Sequence, residues 1–111
     1  MKSNINTRKL VSELRKTKTK AWKRIADELE KSTKRMPKVN IHKINKYTRV
    51  NEIAVIPGKV LGVGNLDKKL TVAAFQFSES AKDKINKSGK ALSLAEAVKQ
   101  NPKAEKVRIL K

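Results

Sequence analysis

Ile53-Ala54-Val55-Ile56-Pro57-Gly58, with Leu70-Thr71-Val72-Ala73-Ala74-Phe75 beginning twelve residues after that glycine, decides the fold. Each is a run of apolar residues of strand length, rich in valine and isoleucine or in small side chains. Glu52 to Ile56 reads as a buried strand that Pro57-Gly58 ends, and Leu70 to Phe75 as a second strand.

Outward from this pair, strands and helices alternate. Ser78 reads as a helix N-cap with Glu79 in the first turn, Ala81 and Ile85 on one face and Gly89 at the stop. Ser93-Leu94-Ala95-Glu96 is a capping box, opening a helix through Val98 that ends at Asn101-Pro102, and Val107 to Leu110 closes the chain as a strand. On the other side, Val39-Asn40-Ile41 reads as a short strand and His42 to Tyr47 as a brief helix. This order from residue 39 onward predicts an α/β core in which helices cover a small, partly parallel sheet.

Two amphipathic helices precede that core. Thr7 is placed to cap the first, which carries Leu10, Val11 and Leu14, while Trp22, Ile25, Ala26 and Leu29 form one face of the second at i, i+3, i+4 and i+7. A hinge is expected at Arg35-Met36-Pro37-Lys38, because proline disfavours helix at the residue before it. The division predicted is a basic helical extension over residues 1–38 and an α/β core over 39–111, within one domain.

Charge narrows the function. The chain's 111 residues include 28 Lys and Arg against 10 Asp and Glu, a net +18, with sixteen basic and four acidic residues in the first fifty. Such an excess repels itself, and a polyanion relieves it, so nucleic acid is the expected partner ahead of an anionic membrane face or a merely soluble basic surface. The absence of cysteine excludes a disulfide framework and a thiol nucleophile, and it fits a reducing compartment. No apolar run approaches the ~20 residues of a membrane helix, and the first residues lack a secretory apolar stretch.

Arg8, Lys9, Arg15, Lys16, Lys18, Lys20, Lys23, Arg24, Lys34 and Arg35, on the extension, are candidate phosphate-binding residues, joined beyond it by Lys38, Arg49 and Lys59. Gly58, Gly62 and Gly64 match neither phosphate-loop nor dinucleotide spacing. Two readings of them stand: turns needing positive φ, or bare backbone approaching an RNA phosphate beside Lys59. Only Trp22, Tyr47, Phe75 and Phe77 are aromatic, too few for a sheet-borne stacking platform; Trp22 and Phe75 are expected in the core, and Tyr47, beside Lys46 and Arg49, fits either role. The lone His42 has no partner for catalysis or metal binding, and Asp27, Glu28 and Glu30 are explained by pairing with Lys23, Arg24 and Lys31 along one helix. No catalytic residue, metal site, cofactor or small-molecule substrate is expected.

Ile56-Pro57-Gly58-Lys59-Val60-Leu61-Gly62-Val63-Gly64, followed by Val72-Ala73-Ala74-Phe75-Gln76-Phe77-Ser78, resembles the archaeal and eukaryotic large-subunit ribosomal protein eighteen-e family, a relative of bacterial large-subunit ribosomal protein fifteen. Trp22 to Leu29, Ile44-Asn45, Lys84-Ile85, Asn101-Pro102 and Val107 to Leu110 support the resemblance across nearly the whole chain. It implies an irregular core of strand-strand-helix turns behind a helical extension that lies against ribosomal RNA. It also implies neighbouring large-subunit proteins as partners and a cytoplasmic archaeal ribosome as the setting. A DNA-compacting chromosomal protein is the alternative that charge alone leaves open, and sedimentation with large subunits or with nucleoid separates the two.

Overall fold

The structure, a computed structural model, describes residues 5–31 and 37–111. Its elements run α1 (Ile5–Lys16), α2 (Lys20–Lys31), β1 (Lys38–Asn40), α3 (Ile41–Tyr47), β2 (Ile53–Leu61), β3 (Thr71–Phe77), α4 (Glu79–Ser88), β4 (Lys90–Ser93), α5 (Leu94–Gln100) and β5 (Val107–Ile109). The sheet has the order β1-β2-β3-β4, and β5 also pairs with β2. Every pairing is parallel, so the sheet is more regular in direction than the partly parallel one expected. β5 lies along Ile53 to Val55 and β1 along Lys59 to Leu61, so the two share the edge of β2 opposite β3.

Parallel strands require a return path, which helices α3, α4 and α5 supply for three of the connections. The fourth, residues 62–70, returns without a helix. It threads between α3 and α4, where the His42 amide donates to the Val63 carbonyl at 3.1 Å and Lys84 Nζ to the carbonyls of Gly62 and Gly64 at 2.7 and 2.9 Å. Farther along, Lys68 Nζ donates to the carbonyls of Asn45 and Thr48 at the end of α3, at 2.6 and 3.1 Å.

Helices cover both faces of the sheet. On one side Val11, Leu14, Trp22, Ile25, Ala26 and Leu29 of α1 and α2 join Leu94, Ala97 and Val98 of α5 over Val55 and Ala73. On the other, Ile41, Ile44, Ala81 and Ile85 of α3 and α4 cover Ala54, Ile56, Val72 and Ala74. Alternation of side chains along β2 and β3 sends neighbouring residues to opposite clusters. The four apolar positions read on α2 are all buried, and Trp22, Ile25 and Ala26 are fully so. The N-terminal helices are thus one of the two helical layers of the core.

Several sequence expectations are corrected. β2 runs through Pro57-Gly58 instead of ending there. Its register against β3 shifts between Ile56 and Lys59, and such an irregularity tolerates a proline that cannot donate to the ladder. Gly58 keeps the strand close to its neighbour: a Cβ there would collide with the Pro37 carbonyl oxygen, which accepts from the Lys59 amide at 2.9 Å. Thr7 lies inside α1, whose backbone is helical from Ile5, so it does not cap that helix. Ile41 begins α3 and is not part of β1. β4 has no counterpart in the sequence reading, because four residues ending in a capping serine carry little strand signal. The caps themselves stand as read: Ser78 Oγ accepts from the Ala81 amide, and Ser93 and Glu96 bond reciprocally.

Candidate nucleic-acid interface

Because α1 and α2 turn their apolar stripes to the sheet, their remaining faces carry charge into solvent. Arg8, Lys9, Lys16, Lys18, Lys20, Lys23 and Arg24 are all exposed, and none of them enters any of the four ion pairs among the described residues. Unpaired, hydrated cations on one helical layer are free to meet phosphate. Arg15 differs: its guanidinium bridges to Glu30 and to Asp27, the latter at 2.9 Å, and those two carboxylates, Glu30 foremost, raise its pKa further. Asp27 and Glu30 therefore pair between helices, and Glu28 pairs with Lys111 at 2.6 Å, in place of the same-helix partners expected. Lys34 and Arg35 lie outside the described residues.

The turn between α1 and α2 is tied to the loop between α5 and β5. Thr19 Oγ1 donates to the Pro102 carbonyl and the Trp22 indole N–H to that of Asn101, each at 2.8 Å. Lys18 and Lys20 on the first segment and Lys103 and Lys106 on the second are all exposed. Lys18, Ala104 and Lys106 hold left-handed backbone, with φ of 56°, 54° and 59°. A side-chain-bearing residue is strained there by roughly 1–2 kcal/mol relative to glycine. Two of these three strained positions nevertheless carry lysine. Sequence reasoning missed Lys103 and Lys106, because only the fold brings their loop beside the N-terminal helices; the basic residues flanking the Asn101-Pro102 stop were the available signal.

The remaining candidates lie on or beside the sheet. Lys38 faces Lys59 in register across β1 and β2, the first exposed and the second half-buried. Arg49 is exposed, and its amide donates to Glu52 at 2.8 Å. The glycines of residues 58–64 have internal work. Gly58 is buried against Pro37, a Cβ on Gly62 would collide with Ser80 Oγ, and one on Gly64 would meet the His42 amide nitrogen at 2.7 Å. Only Gly64, with φ +106°, needs the left-handed freedom that was one of the two readings. The carbonyls of Gly62 and Gly64 already accept from Lys84.

Among the described residues, no three His, Cys, Asp or Glu side chains stand close enough to hold a metal ion, and no helix is long and apolar enough to cross a membrane. What the geometry offers is a basic helical layer whose cations are largely unpaired, continued by the lysines of the α5–β5 loop.

Comparison with known proteins agrees with this geometry. A family described as the ribosomal proteins 50S-L15 and 50S-L18e, together with their 60S counterpart, matches residues 5–91. Among similar proteins, the "Large ribosomal subunit protein eL18" of Sulfurisphaera tokodaii is 51% identical over 110 residues, covering 98% of this chain and 93% of the relative. That of Sulfolobus acidocaldarius is 46% identical over 112 residues, covering 98% and 95%, and that of Methanothermobacter thermautotrophicus 40% over 114, covering 98% and 94%. With the match spanning most of the sheet and both N-terminal helices, the chain belongs to this family of ribosomal proteins.

Proposed function

We propose that the chain is a structural constituent of the cytoplasmic large ribosomal subunit, binding and stabilising ribosomal RNA through phosphate and shape contacts. The observation that carries this reading is the exposed, carboxylate-free set Lys16, Lys18, Lys20, Lys23 and Arg24 on α1, α2 and their turn, which the core holds in place through Trp22 and Leu14. A rigid array of cations suits neutralising folded RNA, since no helix has to be ordered at the moment of binding. Arg8, Lys9, Lys38, Arg49 and Lys59 extend the set, and Lys103 and Lys106 adjoin it. Neighbouring large-subunit proteins are the further partners, and the role requires no reaction and no small-molecule substrate.

Binding to large-subunit ribosomal RNA, measured against salt, tests the reading. About six phosphate contacts give a log K against log salt slope of about −4 to −5 at ~0.7 per contact. Replacing Lys16, Lys20, Lys23 and Arg24 together by Gln is expected to flatten that slope by about 3 while leaving the fold intact. A slope unchanged in the folded variant would overturn the assignment to this face. Preferential sedimentation of the native protein with nucleoid would favour a DNA-compacting role instead.

A further inference from the structure

Tyr47 is the one aromatic side chain of the four that the fold leaves open, 52% exposed at the end of α3, whereas Trp22 is fully buried and Phe75 and Phe77 pack against the two core clusters. Its ring carries the Lys46 ammonium 5.4 Å from its centroid, an arrangement that marks the π-face as accessible to a polar neighbour. The same residue lines a groove of about 350 Å³ with Lys43, Arg108, Ile109, Leu110 and Lys111. Three of those partners are cationic, and the other two, from β5 and its end, give the groove an apolar wall.

The cations of the groove are set in place by the protein. Arg108 is held by Glu52 at 2.9 Å, Lys111 by Glu28 at 2.6 Å, and Lys43 Nζ donates to the Lys111 carbonyl at 2.9 Å. Arg108 uses only part of its five-donor guanidinium on Glu52, so further N–H groups remain for a phosphate. A flat aromatic ring, an apolar wall and oriented cations together match one chemistry: an unpaired nucleotide, with its base on the ring and its phosphate on the rim. A duplex, whose bases are stacked inside, has no use for the ring. A phosphate alone has no use for the wall.

We infer that the Tyr47 groove takes an unstacked nucleotide of single-stranded RNA, a contact distinct from the phosphate-binding face of α1 and α2. This rests on the RNA-binding reading above. The test compares the wild-type protein with Tyr47→Phe and Tyr47→Ala on two probes, a twelve-nucleotide single-stranded oligouridylate and a blunt RNA duplex of the same length. Tyr47→Ala is expected to weaken binding of the single strand roughly tenfold, the scale of one base stacked on an aromatic ring, with the salt slope unchanged. Tyr47→Phe keeps the π-face and is expected to remain within about twofold of wild type, and duplex binding is expected to be unchanged in both. Tyr47→Leu, which preserves apolar bulk without a π-face, replaces the alanine variant if circular dichroism shows that variant unfolded.

Single-strand affinity unchanged in Tyr47→Ala overturns the inference, including the case in which the ring meets a neighbouring protein instead. Equal losses on both probes also overturn it, since they assign the ring a general role. A wild-type protein that binds neither probe, nor large-subunit ribosomal RNA, overturns the RNA-binding reading itself.

Discussion

The indole N–H of Trp22 donates to the main-chain carbonyl of Asn101 at 2.8 Å, joining residues 79 positions apart in the chain. Asn101 is the C-cap of α5, and its side chain bonds both the amide and the carbonyl of Glu105 at 3.0 and 2.9 Å. One buried aromatic residue of the N-terminal layer is thereby fastened to the turn that starts β5. The basic face of α1 and α2 is held relative to the Lys103 and Lys106 loop by the same bond.

Trp22→Phe is expected to lower stability by about 1–3 kcal/mol, the cost of leaving the Asn101 carbonyl without its donor in a partly buried site. Trp22→Ala removes the whole ring from a fully buried position and is expected to cost about 3–5 kcal/mol. Urea unfolding followed by circular dichroism measures both. Equal stability of Trp22→Phe and wild type would show that the hydrogen bond adds nothing to the packing.

The glycines separate by what they touch. Gly58→Ala drives a Cβ into the Pro37 backbone carbonyl, which is fixed in the sheet, so a second substitution cannot relieve it. Gly62→Ala meets the Ser80 side chain at the start of α4, and removing that side chain removes the nearest two contacts. A double-mutant cycle is expected to show Gly62→Ala costing clearly less in a Ser80→Gly background than in wild type. Additive costs would mean that the Ala81 amide, 3.1 Å from the same Cβ, sets the limit.

Local chemistry is legible in the sequence where its partners are local. The stripe from Trp22 to Leu29, the Ser78 cap and the Ser93–Glu96 box are each complete within a few residues, and the structure keeps each. The passage of β2 through Pro57-Gly58 is not legible, because the Pro37 carbonyl that requires glycine there comes from β1's side of the sheet. The charge excess names the class of surface, yet Arg15 reads no differently from Lys16 until the fold sets Asp27 and Glu30 against it. Tyr47 fits two roles in the sequence for the same reason: its groove walls come from β5, about sixty residues away.

Acid is expected to destabilise the protein through three carboxylates. The Lys111 ammonium lowers the Glu28 pKa, the Arg49 amide and then Arg108 lower that of Glu52, and the Ser93 amide and hydroxyl lower that of Glu96. Each folded-state value lies below the unfolded one, about 4.3, so the stabilisation is present above that pH and is lost as pH falls through the folded values. The melting temperature should therefore drop between about pH 5 and pH 3. A variant with all three glutamates changed to Gln should show a shallower drop at constant ionic strength. An equally steep drop in that variant would assign the acid sensitivity to repulsion among the chain's cations.

Lys84 bonds inward, where a reading of charge alone would place another phosphate contact. Its ammonium is half-buried and donates to the Gly62 and Gly64 carbonyls at 2.7 and 2.9 Å, holding the helix-free return of residues 62–70 against α4. Bonds from a charged donor to carbonyls contribute about 1.5–3 kcal/mol where they are shielded from water. Lys84→Met keeps the aliphatic stem but removes the donors, so the start of this loop should open more often while the strands stay protected. Hydrogen exchange of the His42 amide, which donates to the Val63 carbonyl at 3.1 Å, reports that opening directly. The expected result is exchange at His42 faster by about tenfold or more, exchange at Val55 and Ala73 accelerated much less, and RNA affinity close to wild type. Unchanged His42 exchange would show that the loop is held by its contacts to α3 alone, and a loss of RNA affinity in the folded variant would make Lys84 a phosphate ligand after all.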